Sequence, residues 1–493
     1  MHHPIGAVHL HILTFAYLHI AKRSPFAYSH ICTFAKRHIC TFSYSHIDIP
    51  MTIRHLFLSL CFLPAAAFAQ DEQQIEDCFL RSLQGETLNA PRKRIHVNKI
   101  SAARDLVWKA WQKANAAFNE EKLIVLDSLT ASQKSIWHIP AELEPNAAMP
   151  YYYGAKGTRP TEGYPLFLYL HGSGPKDNEW ANGLYFGQHF ADAPSAYFIP
   201  RIPQEGEWYR WWQKGKQYVW DKLLRQTLAS GSFNPNRLYV FGISEGGYGS
   251  QRLASFYADY WAAAGPMAGG EPLKNAPAEN LSNVAFSLRT GAEDKGFYRN
   301  ILSRYIADEL DSLESLYPTQ FRHSVQLIPG QGHHIDYTKT TPWMSHFTRN
   351  ARPQNYMWED YEMDGQHRRG FYNLLVTTRP DSTKRTRYDY RTNRDSNLVE
   401  IFVEDVTYKT TERDPIYGIE MKFSRTYEPS HGGRLTVFLN EDMVNLRIPV
   451  TIRINGRNVF YGTPRCDVEA MMRSLAAFYD PERIFPAAVN VKY

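Results

Sequence analysis

Between residues 165 and 330 the chain alternates two hydrophobic patterns. Short continuous apolar runs, "PLFLYLHG" (165–172), "AYFIPRIP" (196–203) and "RLYVFGIS" (237–244), predict strands buried on both faces. "WAAAGPMAGG" (261–270), "NVAFSLRTG" (283–291) and "HSVQLIPG" (323–330) predict three more. Between them, "KQYVWDKLLRQTLAS" (216–230), "EGGYGSQRLASFYADY" (245–260) and "YRNILSRYIADELDSLESLY" (298–317) read as helices. Just upstream, "SIWHIP" (135–140) and "MPYYYGAKG" (149–157) read as extended segments. Strand alternating with helix over about 180 residues predicts an α/β fold with a mostly parallel sheet covered on both sides.

The flanks differ. "SAARDLVWKAWQKANAAFNEEKL" (101–123) opens on a capping serine and spaces Val107, Trp111, Ala114 and Phe118 as a helix, so 70–135 is expected to be a helical extension. From 372 onward come short strands with turn signals, "NLVEIFVEDVTYKTT" (397–411), "YGIEMKFSRTY" (417–427), "GRLTVFLNE" (433–441) and "IPVTIRINGRNVFYG" (448–462). Asn455-Gly456 marks a two-residue hairpin turn, and "DVEAMMRSLAAFY" (467–479) reads as a helix. The expected organisation is therefore a core of 136–371 followed by a β-rich domain, 372–493. No motif in the latter carries chemistry; its expected role is accessory, flanking a substrate cleft.

The first fifty residues carry an eight-residue tandem repeat, "FAYSHICT", "FAKRHICT", "FSYSHIDI". His30, Cys32, His38 and Cys40 lie close together there, but this is not a zinc-ligand spacing. Residues 1–50 read as a translated upstream tract, expected to be disordered. From Met51, a basic start, the apolar run "LFLSLCFLPAAAF" (56–68) and Ala67-Phe68-Ala69 read as a signal peptide, 51–69, with Gln70 opening the mature chain. A secreted or periplasmic protein that is not membrane-embedded is expected. Removing that segment leaves Cys78 and Cys466, bonded or free. A net charge of +5 on 493 residues, without a basic stripe, gives no reason to expect a nucleic-acid partner.

One segment carries candidate chemistry. Gly242-Ile243-Ser244-Glu245-Gly246 lies between a buried strand and a helix. A serine there, flanked by glycines, stands on a sharp turn clear of the sheet, and the helix N-terminus aims partial positive charge at the same point. Three motifs accompany it in order, each after a strand: "YLHGSGP" (169–175), "RTGAED" (289–294) and "PGQGHHIDY" (329–337).

Taken together, about 160–350 resembles the α/β-hydrolase superfamily, and within it secreted esterases and the catalytic domain of prolyl-oligopeptidase-type serine hydrolases. The resemblance covers a little under half of the chain. It implies Ser244 as nucleophile, Asp294 as the acid, with Glu293 and Asp336 as rivals, and His333 as general base, with His334 as the alternative. It implies an oxyanion hole from the amide of Glu245 and one of the 169–175 turn, Ser173 first, then Gly172 or Gly174, with His171 structural. An acyl-enzyme route follows, for which no metal or cofactor is indicated.

"EGEWYRWWQK" (205–214) offers Trp208, Tyr209, Trp211 and Trp212 as an aromatic platform for substrate, joined by Trp180, or Trp208, Trp211 and Trp212 as the buried stripe of a helix. Arg201 is a candidate for a substrate carboxylate or for a structural pair. The leading function is a secreted carboxylic-ester hydrolase whose ester substrate is an acylated glycan or another polymer. The alternatives are a serine peptidase of prolyl-oligopeptidase type and an inactive glycan-binding protein on a hydrolase scaffold.

Overall fold

Side chains at successive strand positions point to opposite faces of a sheet, so a run such as Leu166-Phe167-Leu168-Tyr169-Leu170 needs apolar cover on both sides. The computed structural model, which describes residues 71–493 apart from Ser382, provides it. Leu166, Leu168, Leu170, Leu238 and Val240 pack into one core with helices Lys214–Ser230 and Glu245–Phe256. Phe167, Tyr169, Tyr239 and Phe241 pack on the other face, against Leu184 and Met344. The tandem repeat, the export segment and the His30, Cys32, His38 and Cys40 group lie outside the described residues.

The central sheet comprises β1 (Lys134–His138), β2 (Ala148–Lys156), β3 (Tyr164–Leu170), β4 (Ser195–Pro200), β5 (Phe233–Ile243), β6 (Ala263–Met267), β7 (Ala285–Gly291) and β8 (His323–Ile328). Their spatial order is β1-β2-β4-β3-β5-β6-β7-β8. β2 is antiparallel to β1 and β4, and the pairs from β4 through β8 are parallel. The chain leaves β3 to one side for β4 and returns to its other side for β5. The C-terminal ends of β3 and β5 thus flank a topological switch point, where open α/β sheets bind ligands.

Two elements depart from the periodicity. The helix predicted to run to 123 stops at Ala117. Glu120 and Glu121 leave the helical path to reach Arg225 and Lys222, at 2.8 and 3.2 Å, and 118–133 has no helix or strand. A helix at Lys176–His189, absent from the hydrophobic pattern, follows β3.

The β-rich part holds a four-stranded sheet and a larger sheet that also takes in Asn355–Asp360, ahead of residue 372. Asn455 and Gly456 both adopt positive φ (46° and 78°), as the hairpin turn requires. The long hairpin of Leu398–Arg413 and Glu420–Pro429 returns to the hydrolase-like part. Arg425 pairs with Glu279 and, at 2.9 Å, with Glu309; Lys274 meets Glu420 at 2.8 Å; Tyr298 donates to Asp414 at 2.6 Å. Deeper in, Arg483, Arg349 and Arg368 join Asp259 and Asp480 in a buried ionic cluster. Residues 72–493 consequently form one compact unit. Cys78 and Cys466 are both buried and free. No helix among the described residues is long and apolar enough to cross a membrane.

Candidate active site

The turn after β5 is as tight as the Gly-Ile-Ser-Glu-Gly spacing requires. Ser244 sits at φ 56°, ψ −114°, a conformation that costs on the order of 1–3 kcal/mol outside glycine. A Cβ at Gly246 would lie 1.9 Å from the Leu170 carbonyl oxygen, and one at Gly242 would lie 2.4 Å from that of Gly246. Only glycine at both flanks lets the turn close against β3. The Ser244 amide donates to Met267 at 2.9 Å, and its carbonyl accepts from Tyr248 at 3.0 Å, opening the helix Glu245–Phe256.

β7 and β8 deliver the partners. A Cβ at Gly291 would strike the Gly332 carbonyl oxygen at 2.0 Å, so this glycine lets the loop after β8 lie across the end of β7. The Glu293 amide donates to Gln331 at 2.9 Å across the same contact. His333 Nε2 is 3.0 Å from Ser244 Oγ, and His333 Nδ1 is 2.7 Å from Asp294 Oδ2. Arg299 Nη1 donates to the other oxygen of Asp294 at 2.9 Å. Burial pushes the Asp294 carboxyl up, but the bond from His333 and the Arg299 charge outweigh it and hold the group below its ordinary range. The rivals are engaged elsewhere: Glu293 is exposed, and Asp336 accepts from Thr338 at 2.9 Å. The bonds to Ser244 and Asp294 are made by His333 rather than His334.

The turn after β3 is braced from behind. Buried His171 accepts from the Ile202 amide through Nε2 at 3.0 Å, so its proton sits on Nδ1, which donates to the Gly172 carbonyl at 2.8 Å. Burial lowers its pKa to about 4, keeping the ring neutral. The Tyr209 hydroxyl donates to the same carbonyl. In a trans peptide the N–H points away from the C=O. Anchoring the Gly172 carbonyl therefore turns the Ser173 amide away from His171 and Tyr209. Gly172 lies against Ser244: a Cβ on it would be 3.5 Å from Ser244 Cβ.

Ser244 opens into a cleft of ≈ 570 Å³ that Ser173, Trp212, Glu245 and Tyr248 also line. Tyr417 and Arg413, on the long hairpin, form part of its wall, so the β-rich part contributes directly to the site. Phe297 and Tyr417 pack there with ring centres 4.6 Å apart and planes tilted by 43°. Burial, opposed by Arg210 and reinforced by Glu271, raises the Glu245 carboxyl to about 7.

Of the aromatic and basic residues expected at the substrate, only Trp212 lines this cleft. Trp211 is fully buried and donates its indole N–H to the His171 carbonyl at 3.0 Å. Trp180 stacks on Tyr152 and donates to Ile199 at 2.9 Å. Arg201 pairs with Asp177. Trp208 is half-buried beside Lys216, which donates to its carbonyl at 2.7 Å. The helical-stripe alternative fails too, because Gly206–Trp208 is a short 3₁₀ turn and the helix starts only at Lys214. Residue types fixed the aromatic content of this segment, but its irregular path decides which rings face inward. Arg210, Arg299 and Tyr417 have no spacing that links them to Ser244, whereas Tyr248 follows it by one helical turn and could have been found that way.

Strand order, the strained serine turn after β5, the aspartate after β7 and the histidine after β8 are arranged as in an α/β-hydrolase fold. No family model matches the chain, and no curated protein matches it in sequence. Solved structures similar to it include a thermostable esterase (19% identity, TM-score 0.34, 44% of this chain and 64% of that one). Others are a ferulic acid esterase (14%, 0.32, 43% and 98%) and a Bacillus cereus carboxylesterase (16%, 0.32, 42% and 97%). The chain thus spans slightly under two thirds of the thermostable esterase.

Proposed function

We propose that the protein is a serine hydrolase that cleaves carboxylic esters through an acyl-enzyme, exported by the segment that starts at Met51 and acting on an acylated glycan or another polymer. The observation that carries the chemistry is the hydrogen-bonded chain Ser244–His333–Asp294, with links of 3.0 and 2.7 Å, standing on a strained turn at a helix N-terminus. Ser244 Oγ attacks the ester carbonyl carbon while His333 Nε2 takes its proton. Asp294 holds the Nδ1–H and stabilises the imidazolium. The amides of Glu245 and Ser173 receive the oxyanion; each such donor lowers the barrier by roughly 3–4 kcal/mol. The intermediate collapses, the alcohol leaves with the proton from His333, and water then repeats the sequence on the acyl-serine.

The test is a fluorophosphonate probe followed by mass-spectrometric mapping, with turnover of a panel of esters and peptides. Labelling at Ser244, lost in Ser244→Ala, together with ester turnover is the expected result. A folded protein that is not labelled and turns over no ester refutes the reading, and turnover of peptides alone would make it a peptidase.

A further inference from the structure

Four guanidinium groups line the cleft beside Ser244: those of Arg210, Arg252, Arg299 and Arg413. Three are engaged. Arg252 holds Glu271 with two bonds, at 2.8 and 3.1 Å, and lies 3.9 Å over the Trp212 ring. Arg299 holds Asp294, and Arg413 holds Glu420 at 2.7 Å. Arg210 is different. It donates to the carbonyl of Tyr209 at 2.6 Å, and the carboxylate facing it, Glu245, is 3.6 Å away, beyond a hydrogen bond. Its side chain remains 47% exposed.

Glu245 Oε1 is buried and has no hydrogen-bond partner, on a residue that lines the same cleft. Such an atom costs about 1–3 kcal/mol when left unsatisfied. An unsatisfied carboxyl oxygen beside a candidate nucleophile and an exposed guanidinium marks a place suited to a polar ligand group.

Charge decides which kind of group. Four arginines face three glutamates, Glu245, Glu271 and Glu420, across the cleft. An ammonium would enter a space dominated by guanidinium. A neutral hydroxyl would satisfy the unpaired oxygen but leave Arg210 with only its 3.6 Å approach to Glu245. A carboxylate serves both residues: it accepts from Arg210 and, with Glu245 protonated, from the Glu245 carboxyl as well.

We propose that this cleft is an anion-selecting subsite in which Arg210 receives a free carboxylate of the substrate, carried either on the acyl chain or on the alcohol. The proposal builds on the hydrolase reading, and it is tested both through turnover and through binding that needs no turnover.

The kinetic test compares matched ester pairs. The 4-nitrophenyl monoester of adipate against 4-nitrophenyl hexanoate places the charge on the acyl side. An acetylated methyl glucuronoside against the corresponding acetylated methyl glucoside places it on the alcohol. For one pair the anionic member is favoured about tenfold or more in kcat/KM, and Arg210→Gln collapses that ratio while Arg210→Lys restores part of it. The binding test is calorimetry of adipate and of methyl glucuronoside on Ser244→Ala, with and without Arg210→Gln. Salt-weakened binding that drops about tenfold without Arg210 is expected. Ratios near one in both pairs, or ratios and affinities indifferent to Arg210, overturn the subsite. Loss of ester turnover and of fluorophosphonate labelling, with Arg210-dependent binding intact, would instead refute the hydrolase reading and leave the anion site standing.

Discussion

Arg299 donates to Oδ1 of Asp294 at 2.9 Å, on the oxygen that His333 leaves free. The carboxylate is thus fixed from two sides, and its orientation toward His333 depends on a residue with no direct bond to the serine. Asp294→Asn should reduce kcat by about 10⁴ with the fold intact, because an amide favours the wrong imidazole tautomer. Arg299→Gln should cost roughly tenfold and move the acidic limb of the pH–rate profile of kcat/KM to higher pH, since a positive charge beside the Asp294–His333 pair is lost. Steady-state kinetics across pH checks both; an unmoved limb would assign Arg299 to packing alone.

Tyr209 bears on the proposed reaction through the turn after β3. Its hydroxyl and the His171 ring share the Gly172 carbonyl, which orients the Ser173 amide. Tyr209→Phe keeps the ring in place and removes the hydroxyl. The expected result is a fall in kcat of about tenfold with KM changed less than about twofold, the signature of an interaction made in the transition state. A change in thermal stability alone, with kcat preserved, would make the residue purely structural.

Glu245 gives a pH dependence whose sign can be worked out. Burial raises its carboxyl from the ordinary 4.5 to about 7, so the folded state binds this proton more tightly than the unfolded chain. Its contribution to stability is therefore complete below about pH 4.5 and is lost as pH rises toward 7. Glu245→Gln carries no such dependence. Relative to the native protein it should melt at a similar temperature at pH 4 and be more stable at pH 8, by on the order of 1–3 kcal/mol. Calorimetric melting at both pH values measures the difference.

Arg483 binds Asp259 at 2.5 Å and Asp480 at 2.8 Å, with all three side chains fully buried. Removing it leaves two buried carboxylates short of a partner. Arg483→Ala should destabilise the protein by about 3–5 kcal/mol, seen as a lower urea midpoint. Because Asp259 lies after the helix that starts at the serine and Asp480 lies near the C-terminus, both parts should unfold in one transition. Separate transitions would show that the cluster does not couple them.

Much of the site was legible before any coordinates. The strands β3 to β7 of the central sheet announce themselves because strands buried on both faces must be apolar at consecutive positions, and the serine turn because only glycine tolerates such close backbone approach. The helix Lys176–His189 was invisible for a related reason. It packs on the sheet through Gly183 and Gly187, where a Cβ would meet Tyr169 at 2.6 Å and Ile199 at 3.0 Å. Glycine has no side chain to register in a hydrophobic pattern, so a tight helix–sheet contact reads as a loop.

By itself the sequence determined the core strands, the turn chemistry, and the serine, aspartate and histidine pair from which the Ser244–His333–Asp294 chain is drawn, because each depends on local backbone geometry or on its position at the end of a strand. The tertiary structure alone decided that His333 rather than His334 reaches the serine, and that Trp211 is buried while Trp212 lines the cleft. It also decided that Arg210, Arg299 and the hairpin carrying Tyr417 belong to one site. Those outcomes depend on which surfaces meet when segments distant in the sequence pack together, and no local pattern encodes that meeting.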